Sequence, residues 1–254
     1  MTRTVAIIQA RFASTRLPGK IMLSLGNSTV LAEVIARCLQ VVGVDEVCCA
    51  VAEGIASDVI AAEARKSGAS VFVGAGDDVL ARYIGAARMS RADVILRVTS
   101  DCPLIDPGVC SDVIAVRSRF DLDYATNNLP PGFPHGLDCE AFSRDALEDA
   151  FEKAALPADR EHVTPFLRRE SCFTRMSVRA PDASYAQQRW TLDHPEDYIF
   201  VYNVFRLLGG ERAPWMELAR LVQERQDLLG INASRVDTAR LRSSILLADP
   251  EAHR

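Results

Sequence analysis

The first hundred residues alternate two apolar rhythms, and that alternation limits the fold more than any other feature of the sequence. Thr4–Gln9 (TVAIIQ) is a continuous apolar, partly β-branched run, as expected of a strand covered on both faces. A polar loop follows, and then Val30, Leu31, Val34, Ile35, Cys38 and Leu39 recur at helical spacing as one stripe. Glu46–Ala52 reads as a second strand, Asp58–Lys66 as a helix ending near Gly68, and Ser70–Val73 as a short third strand. Asp77 or Asp78 suits the N-cap of a helix striped by Val79, Leu80, Tyr83, Ile84 and Ala87, and Asp93–Val98 is a fourth strand. Strand and helix in this order imply an α/β fold: a mostly parallel central sheet, right-handed crossovers and helices on both faces. Ligands of such sheets sit beyond the carboxyl ends of the strands. Two motifs fall there: the loop after Gln9, and Thr99-Ser100-Asp101-Cys102-Pro103 after the fourth strand.

The second half is less regular. Asp123–Asn128 suits a strand, and Leu129–Gly136 is a loop rich in Pro and Gly. Ser143 suits the cap of a helix running to Ala154, and His162–Arg169 suits another short helix. A strand near Phe173–Val178, a strand end at Trp190–Asp193 and a helix over Pro195–Leu208 complete the expected elements. No repeat, low-complexity tract or long linker divides the chain. The expectation is one domain over residues 1–254, with a nucleotide-binding half (about 1–118) and an acceptor-binding, possible oligomerisation half (about 119–235).

The net charge of −5 disfavours a nucleic-acid binder, which needs a basic face against phosphates. No apolar run approaches the roughly 20 residues of a membrane span, and Arg11 interrupts the N-terminal apolar run too early for a secretory signal. The expected location is the cytoplasm, with no membrane partner. Seven cysteines in no paired zinc pattern read as reduced small hydrophobes, with Cys48 and Cys49 on opposite faces of a strand.

The loop Ala10-Arg11-Phe12-Ala13-Ser14-Thr15-Arg16-Leu17-Pro18-Gly19-Lys20 carries the most specific signal. Directly after a buried strand it offers three cations, two hydroxyls and a Pro-Gly turn, the donors a triphosphate needs in place of water. Arg11 can fork onto two phosphate oxygens, Lys20 supplies a mobile point charge, and Gly19 permits close backbone approach. The pattern is neither a Walker A loop nor the Gly-x-Gly-x-x-Gly dinucleotide fingerprint, which disfavours NAD chemistry. Asp101, at the end of an apolar strand, suits a Mg²⁺ ion held against phosphate oxygens, and Asp106 is the better cap for the helix after Pro107.

Ala6–Arg11 running into Ser14–Lys20 resembles the N-terminal signature of the sugar-acid cytidylyltransferases, typified by CMP-KDO synthetase. More fully, the chain resembles the spore-coat polysaccharide branch of that superfamily over roughly residues 4–232. The shared segments are Asp78–Arg82, Arg97–Leu104, Asn127-Asn128, Pro134–Asp138, Arg160–Thr164 and Trp190–Asp193. The resemblance implies a nucleotide-diphospho-sugar transferase-like (Rossmann-like) fold, with CTP and a sugar-type acceptor as substrates and Mg²⁺ as cofactor. It implies transfer of a cytidylyl group to a ulosonic or nonulosonic acid with release of pyrophosphate, for surface polysaccharide, and by analogy a homodimer. Arg11, Lys20 and Asp101 would be catalytic. Ala10, Arg11, Ser14, Thr15, Arg16, Gly19, Lys20, Asp78 and Thr99 would bind nucleotide, and Asp101 and Asp193 would hold the metal. Asn127, His135, Asp138, Arg160, Glu161, His162 and Arg189 would face the acceptor, with Arg160 or Arg189 on its carboxylate. Glu196 and Asp197 read as first-turn charges favoured by the helix dipole.

The chain departs from CMP-KDO synthetase at two nucleotide-pocket positions, having Asp78 where that enzyme has Arg and Thr99 where it has Gln. Other readings keep the fold with a sugar phosphate or another nucleotide, or make the chain a nucleotide-sugar glycosyltransferase with Asp121-Leu122-Asp123 as its metal motif. That last site would leave the first loop without a role.

Overall fold

The computed structural model describes residues 2–241 apart from 55 and 239; residues 242–254, part of the expected domain, lie outside them. Strand β1 (Thr4–Ala10) leads through the polar loop and one 3-10 turn (Lys20–Met22) to a small antiparallel ribbon of β2 (Ser24–Leu25) and β3 (Ser28–Thr29). Helix α1 (Val30–Cys38), β4 (Glu46–Ala52), α2 (Ser57–Lys66), β5 (Ser70–Gly74), α3 (Val79–Met89) and β6 (Val94–Thr99) follow, within a residue or two of the sequence expectation. The second half comprises α4 (Pro107–Arg119), β7 (Tyr124–Thr126), β8 (Glu140–Ser143), α5 (Arg144–Lys153), α6 (Pro157–His162) and α7 (Pro165–Arg169). It continues through β9 (Arg175–Ser177), α8 (Pro195–Leu207), α9 (Trp215–Glu224) and α10 (Gln226–Ile231). No helix among the described residues is long and apolar enough to cross a membrane.

A seven-stranded sheet runs β5-β4-β1-β6-β8-β7-β9, with β5, β4, β1 and β6 parallel and β8 antiparallel to both of its neighbours. Strands from both halves of the chain therefore share one sheet. The period of two along β1 sorts its side chains: Ala6, Ile8 and Ala10 join a core with α1, α4 and α8, while Val5 and Ile7 join a second core with α3 and α5. Cys49 and Cys48 divide between the same two cores. All seven cysteines are free thiols; only Cys172 is exposed.

Caps fall where side-chain acceptors stand before helical runs. Thr29, Asp78, Asp106 and Ser143 accept from the backbone N–H groups of Ala32, Ala81, Val109 and Ala146. The structure also corrects the sequence reading. The helix expected over His162–Arg169 is two helices, α6 and α7, because Pro165 has no N–H to continue α6 and instead opens α7. Val163 takes a positive φ of 72° at the break. Trp190–Asp193 is extended but joins no strand, since its N–H groups go to two different segments: Trp190 to the His135 carbonyl (2.6 Å) and Leu192 to the Asp101 carbonyl (2.8 Å). Strand β8, the β2–β3 ribbon, α9 and α10 had no distinct sequence signal.

Asp106 ties distant parts together: one carboxylate oxygen caps α4 through Val109 N (2.9 Å) and the other caps α9 through Trp215 N (2.9 Å). Asp106→Ala orphans two buried N–H groups and is expected to cost about 2–3 kcal/mol. Chemical denaturation checks this; a loss below about 0.5 kcal/mol refutes the double-cap role.

Candidate active site

A cleft of about 720 Å³ opens beyond the carboxyl ends of β1 and β6. One wall is the loop after β1. Gly19, at φ 67°, lets the loop turn back so that its N–H reaches the Phe12 carbonyl (3.2 Å), and a Cβ there would press on the Phe12 ring at 3.1 Å. Ser14 accepts from Leu17 N (3.3 Å). Arg11, Ser14, Thr15, Arg16 and Lys20 face the cleft, and Ala10 lines its base.

Lys20 lies between two carboxylates from separate segments. Its Nζ is 2.7 Å from Asp101 Oδ2 and 2.6 Å from Asp193 Oδ1, and Arg16 Nη2 stands 3.2 Å from the same Asp193 oxygen. The two carboxylate oxygens therefore face one cation-sized position. Burial alone would lower the Lys20 pKa, but Asp101 and Asp193 outweigh it and hold the ammonium above its ordinary value. For Asp193, burial acts upward, and Lys20, Arg16 and Arg189 overcome it, bringing the carboxyl down to about 2. Among the described residues no cluster of three or more His, Cys, Asp or Glu side chains could hold a metal. Two converging carboxylates suit Mg²⁺, which takes one or two protein carboxylates and fills its octahedron with phosphate oxygens and water. They do not suit a closed zinc site.

The segment carrying Asp193 is held from behind. Leu192 N and Thr191 Oγ1 both donate to the Asp101 carbonyl (2.8 and 3.3 Å), so the two aspartates are joined through backbone. Asp197 accepts from Asp193 N, His194 N, Asn232 Nδ2 and, at 2.9 Å each, Arg189 Nε and Nη2. It is fully buried, so its role extends well beyond the helix-dipole charge read from the sequence. Arg189 also reaches Asp193 Oδ2 (3.3 Å). Gly136 makes the crossing possible: at φ 120°, a Cβ would meet Trp190 C and Thr191 N at 2.6 Å.

Not every residue singled out from the sequence faces the cleft. Asp78 caps α3 and pairs with Arg160, which also donates to the Phe151 carbonyl (2.9 Å). Asn127 is fully buried, bridging Leu137 O and Cys139 N. Arg189 is buried against Asp197. These four side chains are committed to the scaffold, and so is Gly19. Thr99, His135, Asp138, Glu161 and His162 do line the cleft. His135 is 3.8 Å from Asp138, and burial lowers its pKa against that carboxylate's pull. Arg240 pairs with Asp138 (2.6 Å). Asp123 of the Asp-Leu-Asp sequence accepts from Thr174 N and Oγ1, away from the cleft.

The sequence reading missed Gln9, Arg82, Arg97, Asn128, Glu140 and Arg168 on the cleft wall. Arg97 could have been found: a guanidinium inside Val94–Thr99, a strand buried on both faces, demands a partner. That partner is Glu140, at 2.5 Å.

Two predictions follow from this geometry. Asp193 is stabilised as the anion, a contribution present above pH 3.8 and lost as pH falls towards about 2. The unfolding free energy of Asp193→Asn is therefore expected to fall less steeply with acid over that range; parallel slopes would contradict the pairing. Gly136→Ala is expected to displace the 190–193 crossing, lowering stability by about 1–3 kcal/mol and turnover by more than 10-fold.

The sequence profile of the cytidylyltransferase family matches residues 5–205. The chain is 30% identical over 220 residues to the spore coat polysaccharide biosynthesis protein SpsF of Bacillus subtilis, covering 82% of this chain and 89% of that one. It is 38% identical over 165 residues to a 3-deoxy-manno-octulosonate cytidylyltransferase of Anaeromyxobacter sp., covering 63% of this chain and 66% of that one. A solved cytidylyltransferase structure from Leptospira borgpetersenii superposes with a TM-score of 0.85 at 28% identity, over 90% of this chain and 97% of that one. With the family profile matched over residues 5–205 and 30% identity to SpsF across most of both chains, the chain is a member of the cytidylyltransferase family.

Proposed function

We propose that this protein transfers the cytidylyl group of CTP to a hydroxyl of a sugar acid of the ulosonic or nonulosonic type, releasing pyrophosphate, for surface polysaccharide synthesis. The observation that carries this reading is the Lys20 ammonium at 2.7 and 2.6 Å from Asp101 and Asp193, beside a loop of further cations. The names of the relatives support the acceptor class and the pathway: one is a spore coat polysaccharide biosynthesis protein, another a 3-deoxy-manno-octulosonate cytidylyltransferase.

The triphosphate lies along the loop, where Arg11, Arg16 and Lys20 neutralise its charge and Ser14, Thr15 and the backbone near Ala10 donate hydrogen bonds. Asp101 and Asp193 would hold Mg²⁺, which would supply charge neutralisation and orientation at the phosphates. Lys20 keeps the two carboxylates at ion-binding separation and turns to the phosphate oxygens when nucleotide enters. The acceptor hydroxyl gives up its proton and its oxygen joins the α-phosphorus as the bond to pyrophosphate breaks. The side chains form no covalent intermediate; their contribution is alignment and stabilisation of the charge that grows on the departing phosphates.

Pyrophosphate release across the four ribonucleoside triphosphates, with panels of sugar acids and sugar phosphates, tests the reading. Release is expected with CTP and an ulosonic or nonulosonic acid, to cease with EDTA and to return with Mg²⁺. Release with only another nucleotide overturns the base assignment. Asp101→Asn is expected to lose more than about 1000-fold in kcat with an unchanged fold by circular dichroism; retained activity removes Asp101 from the metal site.

A further inference from the structure

Arg160 and Arg189, the two arginines the sequence offers to an acidic acceptor, are both held by aspartates behind the cleft wall. Outside the loop after β1 the cleft is lined by Arg82, Arg97 and Arg168, and the last two are built around one buried carboxylate. Arg97 Nη1 meets Glu140 Oε2 at 2.5 Å and its Nη2 meets Gln9 Oε1 at 3.2 Å, while its Nε is buried without a partner. Arg168 reaches Glu140 Oε1 through Nη2 (2.5 Å) and Nε (3.1 Å), and Tyr124 Oη through Nε (2.9 Å). Among the described residues no hydrogen bond uses its Nη1. Its side chain is 29% exposed, against 2% for Glu140, so it faces the cleft across the carboxylate.

Glu140 Oε1 is crowded with donors. Tyr124 Oη (2.5 Å) and Thr164 Oγ1 (2.7 Å) donate to Oε1 as well, and the arginines hold its carboxyl far below the usual range against burial. Two guanidiniums against one carboxylate leave one positive charge in excess. Tyr83 and Tyr124 do not offset it, because burial pushes both phenols up and keeps them neutral. Arg82, buried and donating to the Ala75 and Gly76 carbonyls, lies near Arg11 and Asp78, and the carboxylate of Glu161 is solvent-exposed at the rim. A buried surplus charge with an unpartnered donor is costly unless an anion completes it.

We propose that Arg97 and Arg168, fixed by Glu140, bind the carboxylate of the acceptor. This rests on the cytidylyl-transfer reading above and deepens it by naming the side chains that read the acid group. The polyphosphate already has Arg11, Arg16 and Lys20 on the loop after β1, with the aspartate pair beside Lys20. The Glu140 cluster instead comes from β6, β8 and α7, where the sheet turns antiparallel, and its excess suits one monoanion. A planar guanidinium fork matches a carboxylate better than a hydroxyl.

The test measures pyrophosphate release from CTP with sugar acids and with their C1 carboxamides, 3-deoxy-manno-octulosonate and its amide among them. The wild-type enzyme is expected to prefer each acid that serves as substrate over its amide by about 100-fold in kcat/KM. Arg168→Lys, which keeps the charge against Glu140 but loses the fork, is expected to raise the acceptor KM about 10- to 100-fold. Its kcat and its KM for CTP are expected to stay within about 2-fold, a split that a merely structural role would not produce. Equal use of acid and amide, a neutral or phosphorylated sugar as best acceptor, or a rise in the CTP KM instead, overturns the assignment and leaves cytidylyl transfer standing. Should Arg168→Lys fail to fold, the acid–amide comparison on the wild type decides alone. Absence of release from CTP with every acceptor removes the wider reading and this one with it.

Discussion

One ammonium group holds the site together. Lys20, at the end of the loop after β1, is within 2.7 Å of carboxylates that follow β6 and precede α8. Without a counter-charge, Asp101 and Asp193 would repel each other across the cleft mouth, at a cost set by their shared low-dielectric surroundings. With Lys20 between them their oxygens face one position. The same contact ties the loop to the sheet. The charges of the site are thus set and oriented by the fold itself.

Behind that contact stand two buried ionic centres, Asp197 with Arg189 and Glu140 with Arg97 and Arg168. Buried pairs of this kind add little net stability, since desolvation takes back most of the attraction. Their effect is positional. Asp197 uses its oxygens on the Asp193 and His194 N–H groups as well as on Arg189, so the approach of α8 to the cleft is set to within hydrogen-bond tolerance. Glu140 does the same for the cleft wall, and it begins β8, which runs against both of its neighbours in the seven-stranded sheet. Reversing β8 brings Glu140 level with Arg97 in the register, so the sheet itself makes the pair.

Much of the fold was legible in the sequence because its information is local. Continuous apolar runs mark β1, β4 and β6, a period of 3.6 marks α1 and α3, and Ser143 and Asp106 stand before their helices as capping chemistry requires. The short elements were not legible. Strand β8 has four residues and α10 six, too few for a period to show. Arg168 and Arg169 are equivalent as sequence, yet one enters the cleft and the other pairs with Asp159 on the outside. Asp78 and Arg160 each looked suited to a ligand, and each instead satisfies the other.

The sequence by itself determined the alternating α/β order, the cation-rich loop after the first strand and the acidic residues at strand and helix ends, since each depends on neighbours a few positions away. Only the tertiary structure decided which charges meet. Lys20 and Asp193 are 173 positions apart, and Glu140 is 43 from Arg97 and 28 from Arg168. Partners at such separations are chosen by strand register and by the cost of leaving a buried charge alone, and neither is written in any local pattern.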